Sequence, residues 1–340
     1  MMSEIVKTFG RSFLVSCFVP AGALIAANIA FWLILSSTPV KAFLQSIESA
    51  RGVELLVCAF IVGLAISVLQ NPLIRVFEGY QQRLFRNAAG VLAALILPTY
   101  WWSRVSGAWM IPTVFAVLSA AAWVSHPISR SWQLRRFRQE KLKTDDKARY
   151  EFFRNYPMDE PNVLATKLGN QIRAFESHAA VYHIDPITTW YRLLAVIPRN
   201  FQEQIGTAEA NFDAVINLAA VALLLALEAM GIYLVHGNGR WLTTSLILAA
   251  SGYALYRLAC GYAVGSWGES VRSAFDLYRL DLLRQLGLYC PDRVYTLEEE
   301  QNLWYSIQNI TMYGQEDPKY PVRFTLTKPR GPEEQPDETE

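Results

Sequence analysis

Long apolar stretches dominate the chain and predict helices that cross a membrane. The first covers residues 13–36 without a charged side chain, and the second covers residues 53–74. Two more follow at residues 212–235 and 241–265, joined by a glycine-rich turn at 236–240. Each stretch is long enough for a helix to cross the ~30 Å hydrocarbon core of a bilayer. The pattern therefore predicts four membrane-spanning helices.

The apolar region at residues 88–124 leaves the number of spans open. Pro98 interrupts its first half, and Arg104 lies between its two halves. Proline interrupts a helix and a charge is costly in hydrocarbon, so a shallow hairpin fits this region as well as two full spans do. We therefore expect four or six spans in total.

The distribution of lysine and arginine predicts the orientation in the membrane. Residues 130–149 contain eight basic and three acidic side chains. Lysine and arginine concentrate in cytoplasmic loops, so we expect this segment on the cytoplasmic side. With an even number of spans, both chain termini are expected on that side as well.

These patterns divide the chain into five parts. An N-terminal transmembrane region (1–126) precedes a cytoplasmic helical segment (127–211), a transmembrane helical hairpin (212–265), cytoplasmic C-terminal helices (266–327) and a disordered acidic tail (328–340). Strand-like alternation is scarce outside the spans, so the expected fold class is an all-α membrane protein with four to six transmembrane helices. The central and C-terminal segments would together build one helical cytoplasmic domain.

Local signals predict where the helices outside the spans begin, end and touch. Asp185 followed by proline is typical of a helix start, and Thr296 with Glu299 matches a capping box. The last span continues without a break into a helix that ends at Gly287. Gly169, inside a helical pattern, predicts close contact with another backbone or a hinge.

Composition strengthens the membrane interpretation and argues against several function classes. Of the 340 residues, 52% are hydrophobic and only 18% are charged, against ~25% charged in typical soluble domains. The net charge of +1 gives no general attraction to nucleic acid. The four cysteines form no CxxC pair, and no phosphate-loop, HExxH or GxSxG motif occurs. We therefore expect no enzymatic activity, no metal site and no cofactor.

Three short polar segments outside the spans form the most distinctive motif. They read ATKLGNQIRAFE at residues 165–176, YHID at 182–185 and WYRL at 190–193. Together they resemble the pattern R-L-G-N-x-x-R-A-x-E, Y-G-I-D, W-x-R-L of an uncharacterised family of bacterial multi-pass membrane proteins, from which Lys167 and His183 depart. The resemblance implies a multi-pass protein of a bacterial inner membrane, and it implies no activity.

The polar side chains of this motif have two interpretations. They are Lys167, Asn170, Arg173, Glu176, Asp185 and Arg192. The interpretation that we favour is a specific helix-packing motif, in which Glu176 pairs with arginines across two helices. The alternative is a surface that binds a ligand or a partner, with the basic and amide side chains making the contacts.

A basic patch follows the ambiguous apolar region. It comprises Arg130, Arg135, Arg136, Arg138, Lys141 and Lys143, interleaved with Trp132 and Phe137. Such a patch binds anionic lipid headgroups, at ~1 kcal/mol per basic residue, or an acidic ligand such as nucleic acid. We favour the headgroups, because basic residues beside a span are expected from orientation alone.

Glu228 places a carboxyl group inside the span at 212–235. It lies eight residues before His236, and Asn28 lies eight residues before Ser36, so both are roughly 12 Å below the membrane boundary. A neutral Glu228 hydrogen-bonded to Asn28 would join two helices. A charged Glu228 facing the cavity of an oligomer would instead form a cation-selecting ring.

The function expected from sequence is that of an integral membrane anchor or scaffold. Its cytoplasmic helical domain would bind a cytoplasmic protein partner, assemble the chain into a homo-oligomer, or do both. The alternative is an oligomeric pore gated by a ligand or a partner, as in a stress or defence effector, with Glu228 facing the central cavity. These two hypotheses differ in whether ions cross the membrane.

Overall fold

A computed structural model of the chain describes residues 12–36, 49–80, 128–287, 296–315, 318–319 and 321–322. Its helices are α1 (Leu14–Ser36), α2 (Ser49–Glu78), α3 (128–141), α4 (Asp146–Asn155), α5 (Lys167–Glu176), α6 (Pro186–Leu194), α7 (Arg199–His236), α8 (Gly239–Gln285) and α9 (Leu297–Gln308). Short 3-10 helices cover Glu160–Asn162 and Ser177–Tyr182. The described residues contain no β-strand, which confirms the predicted all-α class.

Four of these helices, α1, α2, α7 and α8, are long and apolar enough to cross a membrane. They coincide with the four stretches that the apolar pattern predicts as spans. The hairpin considered at residues 88–124 and the acidic tail at 328–340 lie outside the described residues. The structure therefore confirms the four predicted apolar helices.

Helix α2 continues past the predicted span end at Ile74. It passes through Pro72 and ends at Glu78. Gly79 follows with a φ of +87°, and the Tyr80 amide donates to the Arg75 carbonyl oxygen at 3.1 Å. This is the glycine-dependent way of satisfying a helix end. Gly79 therefore ends α2, and Pro72 does not, because a proline within a membrane helix removes one amide donor without ending the helix.

The turn between α7 and α8 is as tight as the glycine pattern predicts. Gly237 has a φ of +65°, and the Asn238 side chain accepts a hydrogen bond from the Arg240 amide at 3.0 Å, which caps α8. Helix α8 then runs through a π-helical segment, Ala259–Ala263, to Gln285. Gly287 follows with a φ of +74°. The predicted continuation of the last span into the next helix is confirmed.

Two compact units share these helices. The first comprises residues 1–175 and 203–270, and the second comprises residues 176–202 and 271–340. In the first unit, α3 and α4 enclose a small core of Phe137, Phe152, Tyr156 and Val163, in which the ring centroids of Phe137 and Phe152 are 5.2 Å apart. The central segment 127–211 thus contributes to both units.

Gly169 of α5 lies against the end of α2 within the first unit. A Cβ atom at this position would come 2.1 Å from the carbonyl oxygen of Glu78, far inside van der Waals contact. Glycine is therefore the residue that lets the two backbones approach so closely. This confirms the close backbone contact that the helical position of Gly169 predicts.

Both predicted helix starts are present in the second unit. The Asp185 carboxylate accepts a hydrogen bond from the Ile187 amide at 3.1 Å, and Pro186 is the first residue of α6. Thr296 and Glu299 form a reciprocal capping box at the start of α9. Each cap satisfies amides that have no partner within their own helix, so the sequence signals fix these two helix starts.

Candidate functional site

Asn28 of α1 and Glu228 of α7 line one open groove with a volume of about 460 Å³. A hydrogen bond joins the side chains of Glu228 and Asn28, and Asn28 Nδ2 also donates to the Leu24 carbonyl oxygen at 3.1 Å. The Oε2 atom of Glu228 has no hydrogen-bond partner in the part of the chain that the structure describes. An acceptor without a donor is costly in hydrocarbon, so this groove, which we call the Glu228 groove, is an incomplete polar site.

The remaining walls of the Glu228 groove are largely apolar and are held in place by α8. Phe31 of α1, which lines the groove, packs edge-on against Trp241 at the start of α8, with ring centroids 5.0 Å apart. Ser245 of α8 donates to the Ala226 carbonyl oxygen of α7 at 2.8 Å. These contacts fix α1 and α7 at the groove, and the polar pair Asn28 and Glu228 lies between apolar side chains.

A second polar cluster lies where α1, α2 and α7 meet, and we call it the buried polar centre. It consists of Ser16, Cys17, Gln70, Asp213 and Asn217. Asn217 Nδ2 donates to the Ser16 carbonyl oxygen at 2.7 Å, and Cys17 Sγ donates to Gln70 Oε1 at 3.5 Å. Gln70 is hydrogen-bonded to the Asp213 carboxyl group. Asp213 and Asn217, one turn apart on α7, are only 9% and 1% exposed, so the contacts close a ring away from solvent.

The shape of α1 explains why the Ser16 carbonyl oxygen is available to Asn217. The first turn of α1, Leu14–Phe18, is π-helical, and Pro20 follows it. Proline has no N–H group, so residue 20 cannot donate the helical hydrogen bond to the carbonyl of residue 16. The Asn217 side chain supplies the missing donor. A polar side chain of one apolar helix thus supplies the hydrogen bond that another apolar helix lacks.

We did not predict the buried polar centre from the sequence. Asp213 reads as the polar entrance to a span, and Asn217 reads as one amide in an apolar stretch. The available signals were the spacing of four residues between these two polar side chains, which places them on one helix face, and the proline inside the first span. These two signals predict the buried polar centre only when the helices that pack against α7 are known.

Three of the six polar motif residues, Lys167, Asn170 and Arg173, lie in the first unit. The Asn170 side chain is fully buried: its Oδ1 accepts from the Leu164 amide at 2.7 Å, and its Nδ2 donates to the Leu164 carbonyl oxygen at 3.2 Å. The Arg173 guanidinium lies 5.1 Å from the centre of the Tyr80 ring, while Lys167 is exposed. Asn170 therefore holds the segment before α5 in place, while the pairing of Glu176 with arginines across two helices stays a prediction.

The other three motif residues, Glu176, Asp185 and Arg192, lie in the second unit. Thr188 Oγ1 donates to Asp185 Oδ2 at 3.0 Å, in addition to the capping bond at the start of α6. Arg192 Nη1 donates to the Thr188 carbonyl oxygen at 2.6 Å, and Glu176 is half-buried. Asp185 and Arg192 thus make contacts within α6 itself. Ligand binding by these residues stays a prediction.

A network of charged and polar side chains joins α8, α9 and the 3-10 helix Ser177–Tyr182 within the second unit. The Asp276 carboxylate accepts from the Tyr182 hydroxyl at 2.8 Å and lies 2.8 Å from His178 Nε2. Arg279 Nε donates to Glu300 Oε1 at 2.7 Å, and its guanidinium lies 3.9 Å from the centre of the Tyr182 ring. Burial, together with the hydrogen bond to Asp276, raises the pKa of Tyr182 to about 12. These contacts connect α8, α9 and the 3-10 helix Ser177–Tyr182.

Two residues of the basic patch, Arg130 and Arg138, contact residues 160–163. Arg130 Nε donates to the Val163 carbonyl oxygen at 3.3 Å, and Arg138 forms an ion pair with Glu160. The hydrogen bond from Arg138 lowers the pKa of the Glu160 carboxyl group. These two arginines attach α3 to residues 160–163, which leaves them less free to bind an external anion.

The other four basic-patch residues, Arg135, Arg136, Lys141 and Lys143, are exposed. The Arg136 guanidinium lies 3.9 Å from the centre of the Trp132 ring, and Trp132 is itself 50% exposed. Tryptophan is enriched where a membrane meets water, because its ring is apolar and its N–H is polar. The exposed part of α3 therefore combines the two residue types that suit a headgroup layer.

Four of the helices described above are thus long and apolar enough to cross a membrane. Comparison of the chain with known protein families, with curated proteins and with solved structures finds no match. The resemblance of the polar motif to the bacterial R-L-G-N pattern therefore stays a prediction. Among the described residues, no group of three or more His, Cys, Asp and Glu side chains is arranged to hold a metal ion.

Proposed function

We propose that the protein is a membrane-embedded scaffold that self-associates through the Glu228 groove and offers its helices outside the membrane to a partner. The observation that carries the proposal is the polar pair Asn28 and Glu228 in an open groove, in which Asn28 is exposed. Lipid tails have no acceptor for the exposed Asn28 amide, whereas the Glu228 carboxyl group of a second copy has one. The groove is therefore completed best by another copy of the chain.

Self-association at this groove is consistent with the symmetry of known oligomers. In a twofold dimer, the Asn28 amide of each copy would face the Glu228 carboxyl group of the other, so the contact is made twice. Each polar contact between membrane helices contributes ~0.6 to 2 kcal/mol. Trp32, 54% exposed, and Val235, 56% exposed, flank the groove and would add apolar contact around the polar pairs.

The exposed basic side chains of α3 support an orientation. Arg135, Arg136, Lys141 and Lys143 would lie on the anionic headgroups of the cytoplasmic leaflet, with Trp132 at the interface. We infer that α3, and with it both chain termini, lies on the cytoplasmic side of a bacterial inner membrane. Binding of nucleic acid by the same side chains is not favoured, because the membrane already accounts for their charge.

Helix α6 supports the presence of a cytoplasmic protein partner. Ile187 and Tyr191 are four residues apart, so they lie on one face of α6, and they are 69% and 81% exposed. The buried residues of α6, Thr189 and Leu193, face the unit instead. An apolar pair that faces outward from a docked helix is suited to contact another protein.

Disulfide crosslinking in membranes tests self-association at the groove. The exposed Cys58 is replaced by serine, as is Cys290, and Gly231→Cys then places a thiol on the groove wall, where an added Cβ meets no atom within 4 Å. Gly261→Cys is the matched control, since its added Cβ also meets no atom within 4 Å and it lies on α8 outside the groove lining. We expect a covalent dimer with Gly231→Cys and much less with Gly261→Cys.

A further substitution tests whether crosslinking results from association at the Glu228 groove or from random collision of the chains. Adding Glu228→Leu to the Gly231→Cys chain should weaken association roughly tenfold, because two polar contacts per dimer are lost. Equal crosslinking with Gly231→Cys and Gly261→Cys, or crosslinking that Glu228→Leu leaves unchanged, would contradict the scaffold proposal.

A gated pore is the second candidate, because the same groove is open and contains a carboxyl group. If several copies turned their grooves toward one axis, Glu228 would form a ring that selects cations. In proteoliposomes, this model requires a cation flux that Glu228→Gln strongly reduces. Absence of flux, or flux that Glu228→Gln leaves unchanged, contradicts the pore and leaves the scaffold standing.

A further inference from the structure

Donors and acceptors in the buried polar centre do not balance. Gln70 accepts the Cys17 thiol hydrogen at Oε1, so its amide N–H groups remain for Asp213. Asn217 donates its amide N–H to the Ser16 carbonyl oxygen. The Oδ1 atom of Asn217 is buried and has no partner among the described residues. One buried acceptor, one helical turn from a buried carboxyl group, therefore lacks a donor.

A proton on Asp213 would remove this imbalance. Side chains four residues apart on a helix have Cβ atoms ~5 to 6 Å apart, within reach of a hydrogen bond between their ends. A protonated Asp213 has an O–H group that donates to Asn217 Oδ1, while its carbonyl oxygen accepts from Gln70. An ionised Asp213 offers acceptors alone and leaves Asn217 Oδ1 unsatisfied. The protonated form is therefore the one in which Asn217 Oδ1 gains a donor.

The remaining groups around Asp213 favour a proton over a metal cation. Glu209, one turn earlier on α7, acts on Asp213 electrostatically, and the Cys17 thiol is the other titratable group of the ring. Neither brings a positive charge. Hard metal cations need about six oxygen ligands, whereas the oxygens of Gln70 and Ser16 are already engaged. The Asp213 carboxyl group and Asn217 Oδ1 remain, which is enough to share one proton.

We propose that the buried polar centre is a proton-binding site, in which Asp213 holds the proton and shares it with Asn217 Oδ1. The proton comes from a hydronium ion of the aqueous phase, whose O–H bond breaks and releases water as the O–H bond of the Asp213 carboxyl group forms. Loss of the proton breaks the hydrogen bond within α7 and leaves a carboxylate bound to Gln70 of α2. The hydrogen bond between Asp213 and Asn217 thus depends on one proton, and this inference is independent of the scaffold proposal.

Infrared difference spectroscopy on the full chain in lipid nanodiscs tests the site. The measurement uses a Glu228→Gln chain, so that the carboxyl group of the Glu228 groove does not contribute. At pH 7 we expect the carbonyl stretch of a protonated carboxyl group, and we expect its loss in Asp213→Asn. Glu209→Gln is the matched control, one turn away on the same helix, and should keep the band. A band that persists in Asp213→Asn, or no band in the starting chain, overturns the proposal.

Two further measurements keep the test decisive if Asp213→Asn does not fold. Asn217→Leu retains Asp213 but removes the proton acceptor, so the band should shift in frequency and weaken at pH 7; an unchanged band contradicts the sharing of the proton. Replacing choline by Na⁺ at constant ionic strength should leave the band unchanged. A band that disappears with Na⁺ would assign the site to a metal cation and overturn the proton assignment.

Discussion

Two carboxyl groups on α7, those of Glu228 and Asp213, lie within an apolar helix in contrasting surroundings. Glu228 lies in an open groove, shares one hydrogen bond with the exposed Asn28 and has an oxygen without a partner in the described chain. Asp213 is 9% exposed and belongs to a closed ring of contacts with α1 and α2. The Glu228 groove is thus open, whereas the buried polar centre joins three helices of one chain.

The largest expected effect is on the free energy of unfolding, which substitutions at the two sites should lower by different amounts. Asn217→Leu removes the donor of the Ser16 carbonyl oxygen, which stays buried, so the free energy of unfolding should fall by about 2 kcal/mol. Asn28→Leu removes a hydrogen bond to Glu228 from an exposed side chain, so it should lower the free energy of unfolding by only about 0.6 kcal/mol. Equilibrium unfolding of the full chain in detergent measures both values. Equal losses for the two variants would show that the buried polar centre is not structural.

A second substitution tests whether Asn217 compensates for the amide that α1 lacks at Pro20. Pro20→Ala supplies the N–H group that α1 lacks, so the Ser16 carbonyl oxygen gains a helical donor. In this background, Asn217→Leu should cost about 1 kcal/mol less than in the wild-type chain. A double-mutant cycle measures the difference. Strict additivity would mean that Asn217 does not repair the defect at Pro20.

The third effect concerns association and should appear at the Glu228 groove alone. Asn28→Leu should weaken dimerisation in lipid roughly tenfold, because each copy loses one polar contact of the pair. Gln70→Leu, which changes the buried polar centre, should leave dimerisation unchanged. Energy transfer between labelled copies in liposomes measures both. Weakening by Gln70→Leu of the same size would mean that association reports on folding and not on the groove.

The smallest effect provides a control outside the membrane. Tyr182 in its neutral form donates to Asp276, and its pKa of about 12 lies above the ordinary value of 10.0. The stabilisation is therefore complete below pH 10 and is lost as the pH rises through 12. The unfolding temperature of the wild-type chain should fall toward that of Tyr182→Phe over this window. A constant difference between the two chains would contradict the role of the hydroxyl group.

The parts of the fold that follow from the sequence are those decided by local chemistry. The four apolar helices, the caps at Asp185 and Thr296 and the tight turn at Gly237 each depend on residues close in the chain. The contact of Gly169 with another backbone was also predictable, since a helical glycine needs such a reason. Its partner, Glu78, was not predictable, because no pattern along the sequence identifies which backbone packs against a helical glycine.

The same limit applies to the two candidate sites. Depth below the membrane boundary, counted along two helices, was enough to associate Asn28 with Glu228. The buried polar centre depends instead on the π-helical turn of α1, on the amide missing at Pro20 and on the approach of Gln70 from α2. These features arise from tertiary packing, so Asp213 was predicted only as a polar residue at the end of a span.

The structure of the assembly in a lipid nanodisc tests the central claim most directly. The account predicts at least two copies, with Asn28 of one copy about 3 Å from the Glu228 carboxyl group of the next. The same experiment distinguishes the pore, in which Glu228 would face a central water-filled cavity. A monomer, or an assembly in which the Glu228 groove faces lipid, would contradict the scaffold proposal.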